Sequence, residues 1–397
     1  MAGSLILPLL AAAALGAQPP SRTVTFADLP PGIARRFNPG SFDSRVDQIE
    51  RDTDRREREG ELDHLIYYVL ESQRFTLLPR IEPSRSARQV VEQRSVPLPV
   101  RERFEAFLMA LARQSSREDP RMRYYAGLLS ITQRSPAYLE KEYRRAMRSL
   151  WDKEVLRLQH VHETRGHNPD ARLEANFTVW SGLSALKGLV PETAIRRVLI
   201  VGPGLSAPRA AEIDSHAPQS LQPYAAADAL IGLGLARRGQ LNIDCADINP
   251  RVIDFITAFG TGKRRLDLNA GHGDAGFEQY IRELGAAMGK RTGAVLTVDS
   301  DVAERVRAGK LNILTSRWEE QYDLAIATNV LVYFNREELT LAVTNIAAML
   351  RPGGYLLHNE VRPELEGVAA PAGLEKVLTR TVRVAKQTDA FAIYRLK

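Results

Sequence analysis

Two kinds of periodicity divide the apolar positions of this chain. From about residue 61 to 190, apolar residues recur every three or four positions, and Leu62, Leu65 and Ile66 share one helical face. From residue 196 onward, short apolar runs alternate with helical segments, which is typical of an α/β sheet. The pattern therefore predicts a helical N-terminal domain or cap, followed by an α/β domain.

Four apolar runs of the second part predict buried strands: RRVLIV, LNIDCADI, DLAIAT and YLLHNE. AVLTV and LNILT compete for the third strand, and SDVAERVRAG between them reads as a helix. TRTVRVA and AFAIYRL alternate with period two and predict a hairpin. We predict a Rossmann-like, mostly parallel seven-stranded sheet with an antiparallel C-terminal hairpin, preceded by a helical N-terminal domain. The predicted units are an apolar leader (1–18), a linker with some helix (19–60), the helical domain (61–190) and the α/β domain (191–397).

The leader is the one segment that bears on membranes and export. It is apolar and ends in a small-residue Ala-Leu-Gly-Ala pattern, like a secretory signal, although it lacks an early Lys or Arg. The alternatives are a disordered leader or a misassigned start. We expect an exported or tethered protein if the leader acts as a signal and a cytoplasmic one otherwise, with membrane contact only through a retained leader.

Charge and cysteine content narrow the functional classes. The net charge is +6, and much of the arginine lies before residue 160 without a nucleic-acid module beside it, so nucleic-acid binding is not expected. The single cysteine, Cys245, cannot form an intramolecular disulfide and is expected in the core. No Cys/His cluster has zinc spacing, and no metal site is predicted.

A glycine turn follows the first strand. Gly202, Pro203 and Gly204 continue directly from the apolar run Val198–Val201, in a G-x-G-x-x-A pattern. Glycines at the carboxyl end of a strand permit positive φ and close approach of a ligand. Dehydrogenases, methyltransferases and aminopropyl transferases all use such a turn, and a purely structural turn is the alternative.

An acid ends the second strand. Asp247, followed by Ile248, lies where a carboxylate can accept hydrogen bonds from both hydroxyls of a ribose. Capping of the next helix through Asn249-Pro250 is the alternative. Asp247 comes 43 positions after Gly204, whereas in a compact dinucleotide-binding unit the acid follows the glycine turn by about 20 residues. Tyr224 lies in the additional residues between Gly204 and Asp247. It either faces the substrate or packs at the start of a helix.

The stretch 322–360 reads as strand, polar strand end, amphipathic helix, Pro-Gly-Gly turn and strand. Thr328 and Asn329 form the polar end, where open α/β sheets bind ligands. Tyr333 leads into the helix. The turn after the helix, which begins at Arg351, stops it and starts the next strand.

This stretch resembles the class I S-adenosylmethionine-dependent methyltransferases, and TNVLVYF with AMLRPGGYLL is similar to the chemotaxis-receptor methyltransferase group. The resemblance covers about residues 196–397 and implies S-adenosylmethionine as cofactor. It places Gly202, Pro203, Gly204, Asp247, Ile248, Thr328 and Asn329 at the cofactor, and Asn329 and Tyr333 at the reacting group. Ile200 stands where the family commonly has an acid. The adenine contact is not evident, and Trp318 is one candidate.

Methyl transfer from a sulfonium requires alignment more than acid–base catalysis, so no catalytic dyad is expected. His162, Glu163 and His167 are candidates for a base or lid, with surface positions as the alternative. The function predicted is methyl transfer to an unidentified small-molecule or protein acceptor. A non-catalytic scaffold with a degenerate methyltransferase fold and an NAD-binding oxidoreductase are the competing interpretations.

Overall fold

The computed structural model describes residues 18–93, 95–113, 119–154, 166–167, 171, 173–206, 213–214, 218–268, 274–360, 362–384 and 387–397. Within this part of the chain the helices are α1 Pro31–Ala34, α2 Phe42–Glu71, α3 Pro83–Gln93, α4 Leu98–Ala112, α5 Pro120–Leu128, α6 Pro136–Glu154, α7 Leu173–Leu189, α8 Gln222–Gly232, α9 Pro250–Thr261, α10 Ala275–Glu283, α11 Ser300–Ala303, α12 Arg336–Met349 and α13 Pro363–Ala369. No helix in these ranges is long and apolar enough to cross a membrane.

The strands form three sheets. They are β1 Ser21–Thr23, β2 Arg197–Val201, β3 Asn242–Asp247, β4 Arg265–Asp267, β5 Gly289–Thr292, β6 Val295–Val298, β7 Val306–Lys310, β8 Ser316–Trp318, β9 Tyr322–Ala327, β10 Leu350–His358, β11 Leu374–Val384 and β12 Gln387–Leu396. The main sheet has the order β11-β12-β10-β9-β2-β3-β7. Strand β12 is antiparallel to both of its neighbours, β10 and β11, and the other neighbouring strands of this sheet are parallel. The predicted seven-stranded sheet with its antiparallel C-terminal hairpin is confirmed.

The third strand differs from both sequence candidates. It is β7, which overlaps the second half of the segment predicted as a helix, and it pairs with β3 from Ile243↔Val306 to Asp247↔Lys310. The first residues of that segment do form a short helix, α11. The AVLTV run supplies β6, but this strand lies in a separate antiparallel sheet with β4 and β5. LNILT follows β7 as a buried non-strand segment. Parallel pairing at the sheet edge, which is a long-range contact, decides this placement.

The sheet is packed on both faces, as parallel sheets require. One face of β2 contributes Val198 and Ile200 to a core with α7, α8 and α9, and the other face contributes Leu199 and Val201 to a core with α12 and the segment before α2. Ile200 is fully buried in the first of these cores, which explains an apolar residue at this position.

The helical part has its own core, built from α2 to α6 around Tyr68, Phe104 and Tyr143. Helix α2 has 30 residues and crosses the predicted boundary between residues 60 and 61. Its first half packs on the sheet through Val46 and Ile49, and its second half belongs to the helical core. The Arg- and Asp-rich composition of its middle conceals this continuity in the sequence.

Candidate functional site

A cleft opens at the carboxyl ends of β2, β3 and β9. Open α/β sheets bind ligands at this edge, outside the carboxyl ends of adjacent strands. The cleft brings together the eight residues that the resemblance placed at the cofactor and the reacting group: Gly202, Pro203, Gly204, Asp247, Ile248, Thr328, Asn329 and Tyr333. Their individual roles toward a ligand stay predictions, but their common location is a property of the fold.

The glycine turn forms the floor of the cleft. Gly202 and Gly204 have φ values of +60° and +64°, in the left-handed region that glycine adopts without steric cost. The Gly202 N–H donates to the Ala246 carbonyl at 2.8 Å, which ties the turn to β3. A Cβ added to Gly202 would lie 2.5 Å from Cγ2 of Val330, so the absent side chain allows the β9 tip to approach.

Asp247 ends β3 as a buried carboxylate that lines the cleft. Its Oδ1 accepts a hydrogen bond from the Asn249 N–H at 2.8 Å. Burial raises the pKa of Asp247 to about 6, against the opposing effect of the Asn249, Gly204 and Ile248 N–H groups. Helix α9 is capped by Asn249 instead, whose Oδ1 accepts from the Arg251 N–H at 2.9 Å. Asp247 therefore supports the turn without being the cap, and it borders the ligand space.

The segment after β7 forms a further wall that sequence reasoning missed. Leu311, Asn312 and Ile313 all line the cleft. Asn312 Nδ2 donates to Glu50 Oε2 on α2 at 2.7 Å. Trp318, considered above for an adenine contact, is instead buried in the core beside α12 and does not line the cleft. This apolar wall was not predictable from the sequence, because β7 had not been recognised as the strand that precedes it.

The segment between the glycine turn and β3 contributes one amide. Gln222, at the start of α8, lines the cleft, and its Nε2 donates to Thr328 Oγ1. Tyr224, two residues later, is fully buried, and its ring centroid lies 4.4 Å from that of Phe259. Of the two interpretations of Tyr224, helix packing is therefore the one that the structure shows.

Asn329 follows β9 with φ +57°. Asn tolerates this left-handed conformation better than other non-glycine residues, because its short polar side chain can hydrogen-bond locally. Its N–H donates to Asn359 Oδ1 at 2.9 Å. Tyr333 lies in a three-ten turn, Leu331–Tyr333, that leads to α12.

His167 lies against the cleft and not at the surface. Its ring makes edge contacts with Tyr333 at 5.4 Å and Phe334 at 6.2 Å between centroids. The backbone N–H of His167 donates to the Arg56 carbonyl at 2.7 Å, which holds this segment on α2. Burial, and then the positive charges of Arg56 and Arg55, lower the pKa of His167 well below its usual value. The alternative of a surface position is therefore wrong for His167, while His162 and Glu163 lie outside the described residues.

Helix α2 is bound to the cleft by a buried ion pair. Glu61 accepts from Asn249 Nδ2 at 2.5 Å, from Arg251 at 2.7 Å and from the Tyr124 hydroxyl at 2.5 Å. The Glu61 side chain is 1% exposed, so these donors compensate its charge in a low-dielectric environment. The helical part and the Asp247 turn are thus joined through one carboxylate.

The polar groups of the cleft fit a nucleoside ligand. Among the described lining residues there is one carboxylate, Asp247, and neither Lys nor Arg. Ile248, Leu311 and Ile313 offer an apolar wall for a base, and Asp247 offers a hydrogen-bond acceptor for ribose hydroxyls. Within the described residues, no group of three His, Cys, Asp or Glu side chains could hold a metal ion.

A family model matches part of this chain. Residues 280–371 match the family model described as CheR methyltransferase, SAM binding domain. The resemblance drawn from the sequence is confirmed. The matched segment of this CheR-type domain runs from α10 to α13 and includes Asn312, Asn329 and Tyr333. It covers less than half of the chain, and the glycine turn lies before it.

Solved structures give loose overlays with methyltransferases. The N-methyltransferase NodS from Bradyrhizobium japonicum WM9, in complex with S-adenosyl-L-homocysteine, is 15% identical, covers 55% of this chain and 85% of its own, and has a TM-score of 0.31. Magnesium protoporphyrin IX methyltransferase ChlM from Synechocystis PCC 6803, with bound SAM, is 10% identical over 64% and 97%, with a TM-score of 0.33. No curated protein gives a match.

The CheR-type match identifies the fold and domain as those of a SAM-dependent methyltransferase and supports S-adenosylmethionine as the cofactor. The cleft is chemically consistent with this cofactor. Its acceptor carboxylate, glycine turn and apolar wall lie at the strand ends where such a nucleoside would bind.

Proposed function

We propose that this protein catalyses methyl transfer from S-adenosylmethionine to an acceptor that binds beside Asn329 and Tyr333. The observation that carries the proposal is the position of Asp247, a buried carboxylate on the wall of the cleft next to the Gly202–Gly204 turn. A ribose bound to Asp247 directs the rest of the cofactor across β2 toward the β9 tip. The carboxyl ends of β3 and β9 are separated by two strand spacings, about 10 Å.

When bound, the cofactor would supply an activated methyl group on a positively charged sulfur. The protein's contribution is then orientation and exclusion of water. Asp247 would hold the ribose hydroxyls, and Ile248 with Leu311 would cover the base. Asn329 and Tyr333 would align the reacting groups at the β9 tip. Helix α2 and His167 close the cleft on the side facing the helical part.

Isothermal titration calorimetry with S-adenosylmethionine, S-adenosylhomocysteine and NAD tests the binding step. We expect micromolar binding of both sulfur nucleosides and none of NAD. Asp247→Ala should lower the affinity for both sulfur nucleosides at least tenfold, because the ribose loses a charge-assisted hydrogen bond. Asp254→Ala is the matched control, since Asp254 is an exposed aspartate on α9. Absence of sulfur-nucleoside binding by the folded parent protein would overturn the proposal.

Turnover separates an enzyme from a binding protein of the same fold. S-adenosylhomocysteine formation should exceed the protein-free rate when the protein is incubated with labelled S-adenosylmethionine and extracts of candidate small molecules or proteins. Binding without any transfer supports the non-catalytic alternative instead.

We also propose that the apolar leader directs export. Residues 1–17 lie outside the described part of the chain, so the proposal rests on the sequence pattern alone. Mass spectrometry of the mature protein from its native cells measures this directly. Cleavage near residue 17 is the expected result, and an intact leader on a cytoplasmic protein contradicts it.

A further inference from the structure

His167 and Asn176 come from the chain before β2, and both side chains reach the cleft. They are 9% and 5% exposed. Within the described part of the chain neither side chain forms a hydrogen bond, and Nε2 of His167 is fully enclosed. The cleft amides of the α/β domain, by contrast, donate to other side chains: these are Gln222, Asn249 and Asn312. Buried polar groups are nearly always paired, so His167 and Asn176 are suited to pair with a molecule bound in the cleft.

His167 lies at the β9 end of the cleft. Its ring contacts the rings of Tyr333 and Phe334, which follow β9. Arg56 on α2 holds both sides of this contact, because its carbonyl accepts from the His167 backbone N–H and its guanidinium donates to the Tyr333 carbonyl. The imidazole is therefore fixed beside the residue that the proposed function places at the reacting groups.

Asn176 reaches the same end of the cleft from the first turn of α7. Two residues later, the Thr178 hydroxyl donates to Asp389 Oδ2 at 2.7 Å, and Asn359 Nδ2 donates to the same oxygen at 3.4 Å. Asn359 Oδ1 in turn accepts from the Asn329 N–H at 2.9 Å. The start of α7 is thus bound, through these contacts, to the residue that follows β9.

The His167 ring is neutral. Burial, and then the positive charges of Arg56 and Arg55, hold the pKa of His167 well below its usual value. Glu338 offsets one of these charges, since it pairs with Arg56 at 3.5 Å. A neutral imidazole has one nitrogen without a proton, and this nitrogen can accept one. Such a ring also suits a site for a positively charged sulfur, which would repel an imidazolium.

The proposed orientation of the cofactor leaves these two side chains to the methyl acceptor. Ribose at Asp247 would occupy the β3 end of the cleft, whereas His167 and Asn176 lie at the β9 end. An amide both donates and accepts hydrogen bonds, so Asn176 can hold a polar group of the acceptor while the imidazole faces its reacting atom.

We propose that the acceptor is a protic nucleophile, an N–H or O–H group, which Asn176 orients and His167 deprotonates. The new bond joins the acceptor nitrogen or oxygen to the methyl carbon, and the carbon–sulfur bond breaks with its electron pair left on sulfur. The proton of the acceptor passes to the unprotonated nitrogen of the His167 ring. A carboxylate acceptor is already ionised and needs no such base. This inference rests on the proposed function.

The stability of the transferred methyl group in alkali distinguishes the two kinds of acceptor. Carboxyl methyl esters release methanol in alkali, whereas methyl groups on amine nitrogen or ether oxygen stay attached. The full chain is incubated with methyl-labelled S-adenosylmethionine and an extract of its native cells, and the extract alone is the blank. Label that survives alkali is the expected result. Label released as methanol overturns the inference and leaves the proposed function standing, and absence of any transfer overturns the proposed function.

His167→Gln removes the base and keeps a neutral polar side chain. Transfer to the extract should fall at least a hundredfold, since general-base catalysis contributes roughly 10² to 10⁴ in rate. The affinity for S-adenosylhomocysteine, measured by calorimetry, should stay within about threefold of the parent value, because His167 faces the acceptor. Unchanged transfer overturns the inference, and so does a loss of transfer that a loss of S-adenosylhomocysteine binding accounts for.

Asn176→Ala tests the contact that orients the acceptor. The amount of extract needed for half-maximal labelling should rise roughly fivefold, because one hydrogen bond to the acceptor is lost, and the affinity for S-adenosylhomocysteine should not change. Asn242→Ala is the matched control, since Asn242 begins β3 at the opposite edge of the sheet and donates to the Gln240 carbonyl. It should change neither quantity. Weaker binding of S-adenosylhomocysteine by Asn176→Ala would place Asn176 at the cofactor and contradict its assignment to the acceptor.

Discussion

The α-carbon of Gly202 faces Cγ2 of Val330 so closely that a Cβ on Gly202 would lie 2.5 Å from it. This contact joins the turn after β2 to the residue that follows Asn329. The glycine turn and the polar tip of β9 are therefore one packed unit, and the space for a ligand above them depends on both.

Gly202→Ala should disturb this unit more than an ordinary turn glycine would. Gly234 is the matched control, because it has φ +66° but nothing within 4 Å of an added Cβ. Each alanine costs about 1 to 2 kcal/mol for the left-handed backbone. Gly202→Ala should cost a further 1 to 3 kcal/mol, roughly, from overpacking against Val330. Chemical denaturation measures the difference, and equal losses of the free energy of unfolding in the two variants would contradict the contact.

The raised pKa of Asp247 predicts pH-dependent cofactor binding. With a pKa of about 6, Asp247 is mostly protonated at pH 5 and mostly ionised at pH 7.5. Hydrogen bonds from ribose hydroxyls to the ionised form are stronger. The affinity for S-adenosylhomocysteine should therefore rise several-fold between these pH values. In Asp247→Asn the affinity should be weaker and nearly flat with pH. A parallel slope in parent and variant would assign the titration to another group.

His358 should make the protein sensitive to acid. Burial lowers the pKa of His358 to about 4, whereas an unfolded histidine titrates near 6.5. The unfolded state thus binds more protons below pH 6.5, and stability present above that pH is lost as pH falls toward 4. Between pH 7 and pH 5 the loss from this residue is about 2 kcal/mol. His358→Phe should remove that share of the pH dependence in urea denaturation. If the variant loses as much stability as the parent, another group is responsible.

The buried Glu61–Arg251 ion pair should contribute far more to the free energy of unfolding than the exposed ion pairs on α2 do. Glu61→Ala leaves Arg251 largely buried without a partner, and such a break costs roughly 3 to 5 kcal/mol. Glu59→Ala is the control on the same helix, because Glu59 pairs with the exposed Arg55 and should cost less than about 1 kcal/mol. Thermal unfolding compares them. Glu61→Ala should also weaken S-adenosylhomocysteine, since Asn249 beside Asp247 loses its acceptor.

Strand-end residues were predictable from the sequence because position along a strand fixes them. Asp247 and Asn329 each follow a buried apolar run, and parallel strands bring such ends to one edge of the sheet. β7 was not predictable in this way. It contains Val306 and Ala308 among polar residues and glycine, and its pairing with β3 sets its conformation.

Of the residues that reach the cleft from the helical part, Thr53 was missed, whereas His167 was among the candidates for a base or lid. His167 arrives there through contacts with α2, which lies about 100 residues earlier in the chain. The structure shows why Gly166 is needed for this approach: a Cβ at that position would lie 2.4 Å from the Gly60 nitrogen. In the sequence alone, that glycine is indistinguishable from one in an ordinary loop.

Helix α2 is a continuous rod of about 45 Å that carries Thr53 on the cleft wall and Glu61 beneath it. A recombinant fragment beginning at residue 61, or at residue 191, would lack part of that wall and leave apolar sheet surface exposed to solvent. The helical part and the sheet should accordingly exchange amide protons and resist proteases as a single cooperative unit. Any minimal soluble fragment that keeps the pocket has to begin before Phe42.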